Sequence, residues 1–563
     1  MLFNPSTETF HHLDAPSRDI MKKTIGFFED RGKAQLKKAD HERTFYEDFI
    51  AFQGEHGIFA QLLTPKAQGD GTTRWDTHRN CAFNEILAFY GLAYWYTWQV
   101  SILGLGPLWM TDNATMKQRA AQALRDGGVF GFGLSERDHG ADIYSTSTRL
   151  YPQDAGGYLA QGSKYYIGNA NRAAWISTFG KLGDTDEYCF FAVDSQRRHY
   201  ECVKNICNSQ NYVGEYRLDD YPVADDEVLA TGREAWDMAL NTVNVGKFNL
   251  GWASIGLCSH AFYEAISHAH HRHLFGSAVT DFPHIQQLFV DAYARLTAMR
   301  LFAQRASDYV RAASPSDRRY LLYTPMVKMK VTTQGEQVMD LLWDVIAARG
   351  FEKDLVFEMV VRDIRALPKL EGTVHVNMAL VIKFMKNFFF SPGDFPEIPR
   401  MMRPDDDDFL WRQGPTKGLS KIQFHGYRRT YRSVDLPNVR RFRRQVLIFE
   451  GLLFSARPSK EQAADFDFLL ILGELFTLVA YGQLILENAK LSAVDDDLVD
   501  QIFDTMVRDF SRFALQLYCK PAATRTQRLL AKQMIRRPVA DDARRERVWQ
   551  QVLALDGAYS MKP

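Results

Sequence analysis

Apolar positions recur at helical spacing in the first part of the 563-residue chain. Residues 17–60 carry apolar side chains three and four positions apart, the spacing that places them on one helical face. Residues 80–110 are almost continuously apolar and aromatic, which is typical of a buried helix and turn. Residues 116–126 have the pattern of a short amphipathic helix. Residues 1–127 are therefore predicted to form an N-terminal helical domain.

Strand-like patterns replace the helical ones at Gly127. Short apolar runs bounded by Gly, Asp and Asn follow one another, and Gly156-Gly157 separates two of them at a predicted hairpin. Helical periodicity returns at Trp236 and continues to about residue 390. This order predicts a β domain at 128–232 between two helical layers, rather than a fold of alternating strands and helices.

A second helical block follows a linker rich in Pro, Asp and Arg at residues 391–408. We predict a four-helix bundle at 233–392 and an extra C-terminal helical domain at 393–563. The predicted fold class is α+β, mostly α. The basic run NVRRFRR at 438–444 indicates a solvated or interdomain face, with a membrane surface or an anionic partner as the alternative.

Composition and charge argue against a nucleic-acid partner. Apolar residues make up 46% of the chain, and 68 Lys and Arg balance 68 Asp and Glu, as in ordinary globular proteins. The six cysteines are scattered without a CxxC pattern, which fits thiols in a reducing compartment. No signal peptide and no stretch of about 18 uncharged apolar residues is evident. We expect a cytoplasmic protein, and a membrane-associated protein is the alternative.

Glu371 is the first candidate for chemistry. It follows a helix-like run that contains RDIR at 362–365 and that is predicted to end near Pro368, since proline stops a continuing helix. Glu371 stands on a short irregular segment, between the apolar Leu370 and Gly372. Burial among apolar groups raises the pKa of a carboxyl, as a general base near neutral pH requires. The alternative is an ordinary surface acid beside a turn glycine.

A histidine-rich segment, HAHHRH at 268–273, invites a metal-site interpretation. His268 and His271 lie three positions apart, a spacing that one face of a helix could present to a metal ion. No carboxylate or cysteine is placed as a further ligand, so we expect no metal.

Five segments, which follow the family's order along the chain, resemble the acyl-CoA dehydrogenases. RDxR followed by EGT is similar to the family's C-terminal signature, whose Glu is the catalytic base. GLSERDHGAD at 133–142 and GSKYYIGNA at 162–170 are similar to two segments that hold the flavin. RHLFG at 272–276 resembles a segment whose Arg reaches the flavin pyrophosphate across a subunit interface, and AARGF at 347–351 resembles a loop beside the ADP part of FAD. The extra helical block is most similar in layout to the very-long-chain members.

The resemblance implies FAD as cofactor and assigns roles to residues. Glu371 is implied as the catalytic base. The implied cofactor-binding residues are Phe132, Leu134, Ser135, Gly140, Ala141, Tyr166, Gly168, Arg272, Phe275, Gln286, Arg349, Gly350, Thr373 and His375. Asn244, Lys247 and Gly372 are implied to bind substrate, and no residue is implied to bind a metal.

Several positions depart from the family pattern. Arg137 replaces its Pro, Ala141 replaces its Ser, and Gly168 replaces the Thr or Ser whose hydroxyl meets the flavin N5 edge. Ala347 and Ala348 replace two glycines. Alanine at a position that needs a positive φ is strained, and its methyl group also crowds a close ligand. The two alanines are therefore the strongest sequence argument against normal FAD binding.

The expected activity is α,β-dehydrogenation of a fatty acyl thioester, as in the β-oxidation of fatty acids. The thioester carrier would be CoA or an acyl-carrier protein, and an electron-transfer flavoprotein-like protein would take the electrons. We also expect a homodimer or homotetramer, and a peripheral membrane contact through the C-terminal domain is a further expectation. The alternatives are an acyl-CoA oxidase and a non-catalytic or half-site subunit of a hetero-oligomeric dehydrogenase.

Overall fold

The computed structural model describes residues 2–563 and divides them into two compact units. We call the first the sheet unit; it comprises Thr9–Asn249, Met402–Lys417 and Lys562–Pro563. We call the second the bundle unit; it comprises the chain up to Glu8, Leu250–Met401 and Gly418–Met561. The bundle and the C-terminal helices thus share one compact unit. The finer division into four domains stays a prediction.

Six helices open the sheet unit, as the apolar periodicity predicts. They are α1 (Ala15–His41), α2 (Glu47–Glu55), α3 (Ile58–Leu63), α4 (Thr77–Tyr90), α5 (Leu92–Met110) and α6 (Ala114–Arg125). Asp76 caps α4 by accepting from the backbone N–H groups of His78 and Arg79, which satisfies donors that a helix start leaves free. Residues 92–109 of α5 are all buried. This burial explains why the segment is rich in aromatic residues without an apolar stripe on one face.

An eight-stranded sheet follows, as the second part of the pattern predicts. Its strands are β1 (Val129–Gly133), β2 (Arg149–Pro152), β3 (Tyr158–Gly168), β4 (Ala173–Leu182), β5 (Tyr188–Val193), β6 (Tyr200–Asn205), β7 (Val213–Val223) and β8 (Val228–Thr231). The strand order is β6-β7-β3-β2-β4-β5-β8, and β1 pairs with β4 in parallel. The predicted hairpin joins β2 to β3, where Gly156 and Gly157 have φ of 91° and 73°. Such positive φ values are readily adopted only by glycine.

Long helices form the bundle unit, and the order of helices, strands and helices is confirmed. Its elements up to residue 390 are the end of α7 (Gly232–His271), β9 (His273–Leu274), β10 (Ser277–Ala278), α8 (Pro283–Arg311), α9 (Tyr320–Met326), α10 (Thr332–Ile346), α11 (Val356–Asp363), α12 (Val374–Ile382) and α13 (Met385–Phe390). A π-helical segment, Val327–Val331, joins α9 to α10. A Cβ added to Gly251 of α7 would overlap Val327, so the glycine lets α7 lie close to the π segment.

The C-terminal helices pack on the bundle through buried ion pairs. They are α14 (Tyr427–Arg432), α15 (Pro437–Ser455), α16 (Lys460–Ala464), α17 (Phe466–Leu491), α18 (Asp496–Cys519), α19 (Arg525–Met534) and α20 (Asp542–Leu553). Arg295 of α8 donates two hydrogen bonds of 2.7 and 3.0 Å to the carboxylate of Asp509 on α18. Arg508 pairs with Asp291 in the same way, at 2.7 and 2.8 Å. Two bidentate pairs fix the register of α18 against α8.

One helix, α17, is long and apolar enough to cross a bilayer by length and composition. An 18-residue window in Phe466–Leu491 has a mean hydropathy of 1.9, although charged residues such as Glu474 interrupt the helix, so it is not the uncharged stretch that the sequence expectation concerned. In this structure 83% of that window is buried. Burial of this kind is typical of a helix at the centre of a helical core.

Candidate functional site

A buried carboxylate organises the chain just after β1 in the sheet unit. Glu136 is 4% exposed. Its carboxylate accepts hydrogen bonds of 2.6 to 2.9 Å from the ammonium group of Lys164 and from the hydroxyls of Thr146, Ser147 and Thr148. The backbone N–H groups of Ser147 and Thr148 also donate to it, at 2.8 and 3.0 Å. Burial alone would raise the pKa of this carboxyl, but the Lys164 charge and the hydroxyl donors hold the pKa well below its usual 4.5. Through these hydrogen bonds the ionised Glu136 carboxylate fixes residues 134–148 against β3, which carries Lys164.

This anchor brings two predicted flavin segments together. The backbone N–H of Tyr165 donates to the carbonyl of Ser135 at 2.9 Å, which joins residues 132–135 to the end of β3. Tyr166 has φ of 66° and is 61% exposed, so its ring lies open to solvent. Further along, a Cβ at Gly140 would meet no atom within 4 Å. Phe132 is buried, while Leu134 and Ser135 are half-buried and Gly140 and Ala141 are exposed.

Gly168 is a glycine because helix α5 occupies the space of a side chain. A Cβ at this position would lie 2.6 Å from Val100 Cγ2, 2.8 Å from Tyr96 Cε1 and 3.1 Å from the Tyr96 hydroxyl. A threonine therefore cannot stand here without moving α5. The sequence did not reveal that Tyr96 packs against Gly168, because Tyr96 lies about 70 positions away along the chain and no local pattern links the two residues.

Asn244, one of the predicted substrate residues of α7, contacts a segment that follows α13 in the chain. Asn244 and Lys247 are each 8% exposed. Asn244 Nδ2 donates to Gln413 Oε1 at 3.3 Å, and Asn241 Nδ2 donates to the Gly414 carbonyl at 2.9 Å. The residues that follow α13 thus return to the sheet unit and cover this face of α7. The assignment of Asn244 and Lys247 to substrate binding stays a prediction.

In the bundle unit, two predicted cofactor arginines converge on one histidine. Arg349 Nη1 lies 3.0 Å from His268 Nδ1, and the backbone N–H of Arg272 donates to the His268 carbonyl at 3.1 Å. Burial and the charges of Arg349 and Arg272 lower the pKa of His268. Both arginines are exposed. Two exposed guanidinium groups near His268 form a positive surface suited to a phosphate.

A tight turn next to Arg272 presents Phe275 to solvent. Strands β9 and β10 pair antiparallel, and the two residues between them, Phe275 and Gly276, have φ of 52° and 86°. Positive φ at both central positions is the geometry of a two-residue type I′ hairpin. The Phe275 side chain is 98% exposed, so it contributes nothing to the core of its own unit. Gln286, at the start of α8, is half-buried and donates to the Thr280 carbonyl at 3.1 Å.

The loop after α10 confirms one of the two predicted strained alanines. Ala347 has φ of 56° and ψ of −139°, a region that is essentially restricted to glycine. Ala348 does not share this conformation. A Cβ at Gly350 would lie 2.5 Å from Trp343 Nε1, so this glycine is required by packing. Phe351 is 72% exposed.

Ala347→Gly should raise the free energy of unfolding by about 1–2 kcal/mol, because glycine adopts the observed φ and ψ without strain. Ala348→Gly is the matched control and should lower it by about 0.5–1 kcal/mol through the greater freedom of the unfolded chain. Urea unfolding followed by circular dichroism measures both. A glycine at 347 that leaves the midpoint unchanged, or lowers it, would show that the alanine is not strained.

Glu371 lies on a left-handed turn just before α12. The preceding helix α11 ends at Asp363, and a 3₁₀ turn ends at Ala366, which confirms a helix end near Pro368. Glu371 has φ of 52° and Gly372 has φ of 82°. The Glu371 residue is half-buried, and its Oε2 atom is inaccessible to solvent. The sequence prediction of a carboxylate on an irregular, partly buried segment is confirmed in its geometry.

The residues after Glu371 begin a helix whose exposed side carries two predicted cofactor positions. Thr373 is the N-cap of α12, and its side chain accepts from the backbone N–H of Val376 at 3.4 Å. Thr373 and His375 are exposed, and Gly372 is half-buried. The Glu-Gly-Thr signature is thus a left-handed turn that leads into a capped helix.

The histidines of the histidine-rich segment have different neighbours. His270 Nε2 lies 3.6 Å and His271 Nδ1 3.8 Å from the side chain of Asp556, while His268 contacts Arg349. Among residues 2–563, no group of three or more His, Cys, Asp or Glu side chains is placed to hold a metal ion.

Comparison with known proteins finds a family model that matches part of the chain and solved structures that share its fold. Residues 234–386 match the family model for the acyl-CoA dehydrogenase C-terminal domain. A probable acyl-CoA dehydrogenase of Mycobacterium tuberculosis is 22% identical over 400 residues, which cover 67% of this chain and 97% of the relative. The crystal structure of an acyl-CoA dehydrogenase complexed with FAD from Bacillus anthracis has a TM-score of 0.75 at 16% identity and covers 98% of this chain and 96% of its own. A prolyl acyl carrier protein oxidase has a TM-score of 0.56 at 21% identity, covering 66% of this chain and 99% of its own.

Proposed function

This chain belongs to the acyl-CoA dehydrogenase family, and on that premise we propose that it is a flavin-dependent oxidoreductase acting on the CH–CH bond of an acyl thioester. The observation that carries the proposal is the turn at Glu371. A glutamate in the left-handed region, with one oxygen shielded from water, lies within the matched residues 234–386, in the EGT segment that resembles the family's signature. The very-long-chain layout remains part of the proposal.

The residues at the predicted flavin positions fit FAD in chemistry. Tyr166, Phe275 and Phe351 expose 61%, 98% and 72% of their area, and a planar ring system or a second subunit would cover such aromatic faces. Arg272 and Arg349 supply positive charge for a pyrophosphate. Ala347 is the one poor fit, since its methyl group stands on backbone that prefers glycine. We propose that the protein binds FAD as a homodimer or homotetramer.

Glu371 would act as the base for the reaction. Its carboxylate removes the proton from the carbon α to the thioester carbonyl, and the carboxyl formed carries that proton. The chemistry that a bound FAD would supply is acceptance of the hydride from the β carbon, which would balance the two electrons. An α proton is a weak acid, so the thioester oxygen needs hydrogen-bond donors as charge develops on it, and the family places one of these donors at the backbone N–H of the base. A site that excludes water strengthens both interactions.

A half-site subunit is the second candidate function. The strained Ala347 and the fully exposed Phe275 favour it, because both stand where a complete flavin site would be expected to fit closely. In that case the chain would bind FAD only with a different partner chain. An oxidase is the third reading, and it differs from a dehydrogenase only in how the reduced flavin is reoxidised.

A visible spectrum of the purified protein, followed by anaerobic addition of acyl-CoA thioesters, tests the proposal. We expect a flavin absorbance near that of other flavoproteins, bleached by acyl-CoA and not by free CoA. Reoxidation by an electron-transfer flavoprotein but slowly by air would indicate a dehydrogenase, and fast reoxidation by air an oxidase. Flavin that no acyl-CoA or acyl-carrier-protein thioester bleaches would contradict both and favour the half-site function.

A further inference from the structure

Two lysines of the π-helical segment are buried, and one of them reaches the turn of Glu371. Lys328 is 0% exposed and Lys330 is 5% exposed. Lys328 Nζ donates to the carbonyl of Pro368 and to the carbonyl of Gly372, each at 2.6 Å. Burying an ammonium group is costly unless its donors are satisfied. A completely buried lysine that spans two carbonyls therefore has a structural or functional reason to be there.

The two carbonyls bracket the residue proposed as the base. Glu371 lies between Pro368 and Gly372, and its φ of 52° is a conformation that non-glycine residues adopt only when the surroundings impose it. The Gly372 carbonyl also accepts from Asn377 Nδ2 at 3.1 Å. Lys328 joins the entrance of the turn to its exit, so the strained backbone cannot relax without breaking a charge-assisted hydrogen bond.

Contacts of the π-helical segment fix the backbone position of Lys328. Gly251 of α7 lies directly against Val327, and the Thr332 hydroxyl donates to the Lys328 carbonyl at 2.5 Å. An inserted π turn changes the direction in which successive side chains point, and such turns are frequent at functional sites. Lys330, two residues on, has its Nζ 5.4 Å from the Tyr481 ring of α17 and so serves a different contact.

We propose that Lys328 is a positioning residue, whose bridge between Pro368 and Gly372 holds the Glu371 carboxylate in its reactive orientation. This proposal rests on the proposed function of Glu371 as the base. Lys328 itself need not touch the substrate. The strain of the Glu371 turn and the aim of its carboxylate are both maintained by one ammonium group.

Lys328→Met tests the bridge, with Lys330→Met as the matched control from the same segment. Hydrogen–deuterium exchange of the purified holoenzyme reports on the backbone amides of residues 369–373 without any substrate. We expect faster exchange there in Lys328→Met and protection equal to wild type in Lys330→Met. In single-turnover flavin reduction, Lys328→Met should lower the limiting rate about 10²-fold with little change in thioester affinity, because small misplacement of a reacting group has that effect.

Lys328→Gln provides a second variant that keeps a neutral donor in the same space. Its shorter side chain cannot span both carbonyls, so residues 369–373 should again exchange faster than in Lys330→Gln. Unchanged exchange in the Lys328 variants would overturn the bridge, as would a loss of thioester affinity without a loss of limiting rate. Faster exchange in a protein whose wild type no thioester reduces would support the bridge and refute the proposed function.

Discussion

Glu371→Gln should lower the rate at which an acyl thioester reduces the flavin by at least about 10²–10⁴-fold, the range associated with loss of a general base. The amide has nearly the shape of the carboxylate but cannot accept the α proton. Because one oxygen of Glu371 is shielded from solvent, water is poorly placed to substitute. Flavin content and thioester binding should remain. Anaerobic stopped-flow bleaching of the flavin measures the effect.

Glu397→Gln is a suitable control for that experiment, since this glutamate is in the same unit and its side chain is 86% exposed. It should reduce flavin at the wild-type rate. Equal rates for Glu371→Gln and wild type would exclude Glu371 as the base. Loss of flavin from Glu371→Gln would instead assign the residue to the integrity of the cofactor site.

Glu136→Gln should cost about 3–5 kcal/mol of stability, the range for breaking a buried ion pair from one side. The change leaves Lys164, which is 0% exposed, without its counter-charge. The segment 134–148 would lose its anchor, so flavin content should fall together with the unfolding midpoint. Arg137→Ala is the control, because the Arg137 side chain is exposed and a solvent-screened ion pair with Glu215 should contribute little to stability.

The double variant Glu136→Gln/Lys164→Met should recover part of the lost stability, since it removes the unpaired charge as well. A double variant as unstable as the sum of its single variants would show that the two side chains do not interact.

The pH dependence of the Glu136 contribution to stability has a definite sign. The folded-state pKa of Glu136 is lowered from 4.5, so its contribution is complete above that value and is lost as the pH falls through the acid range. The difference between wild type and Glu136→Gln should therefore shrink below about pH 4.5.

The order of helices, strands and helices could be predicted because each rests on local patterns. The aromatic run at 80–110, the glycine pair of the β2–β3 hairpin and the helix end near Pro368 each depend on residues close in sequence. The family segments could be placed for the same reason, since Glu371, Gly372 and Thr373 form one turn and one helix cap. The positive φ of Ala347 also followed from a local comparison of alanine with glycine.

Contacts between segments that are distant in sequence decided the packing around Gly168, Asn244 and Lys328. Gly168 had looked like the loss of a hydroxyl, and only the approach of α5 shows that a side chain there would meet Tyr96 and Val100. The linker that returns to cover Asn244, and the lysine that reaches from the π segment to the turn of Glu371, join residues about 170 and 40 positions apart. A sequence read in short windows determines backbone periodicity, caps and turns, because those energies are local. Which side chain fills a given space depends on packing between elements, and in this protein that packing places Lys328 beneath the proposed base.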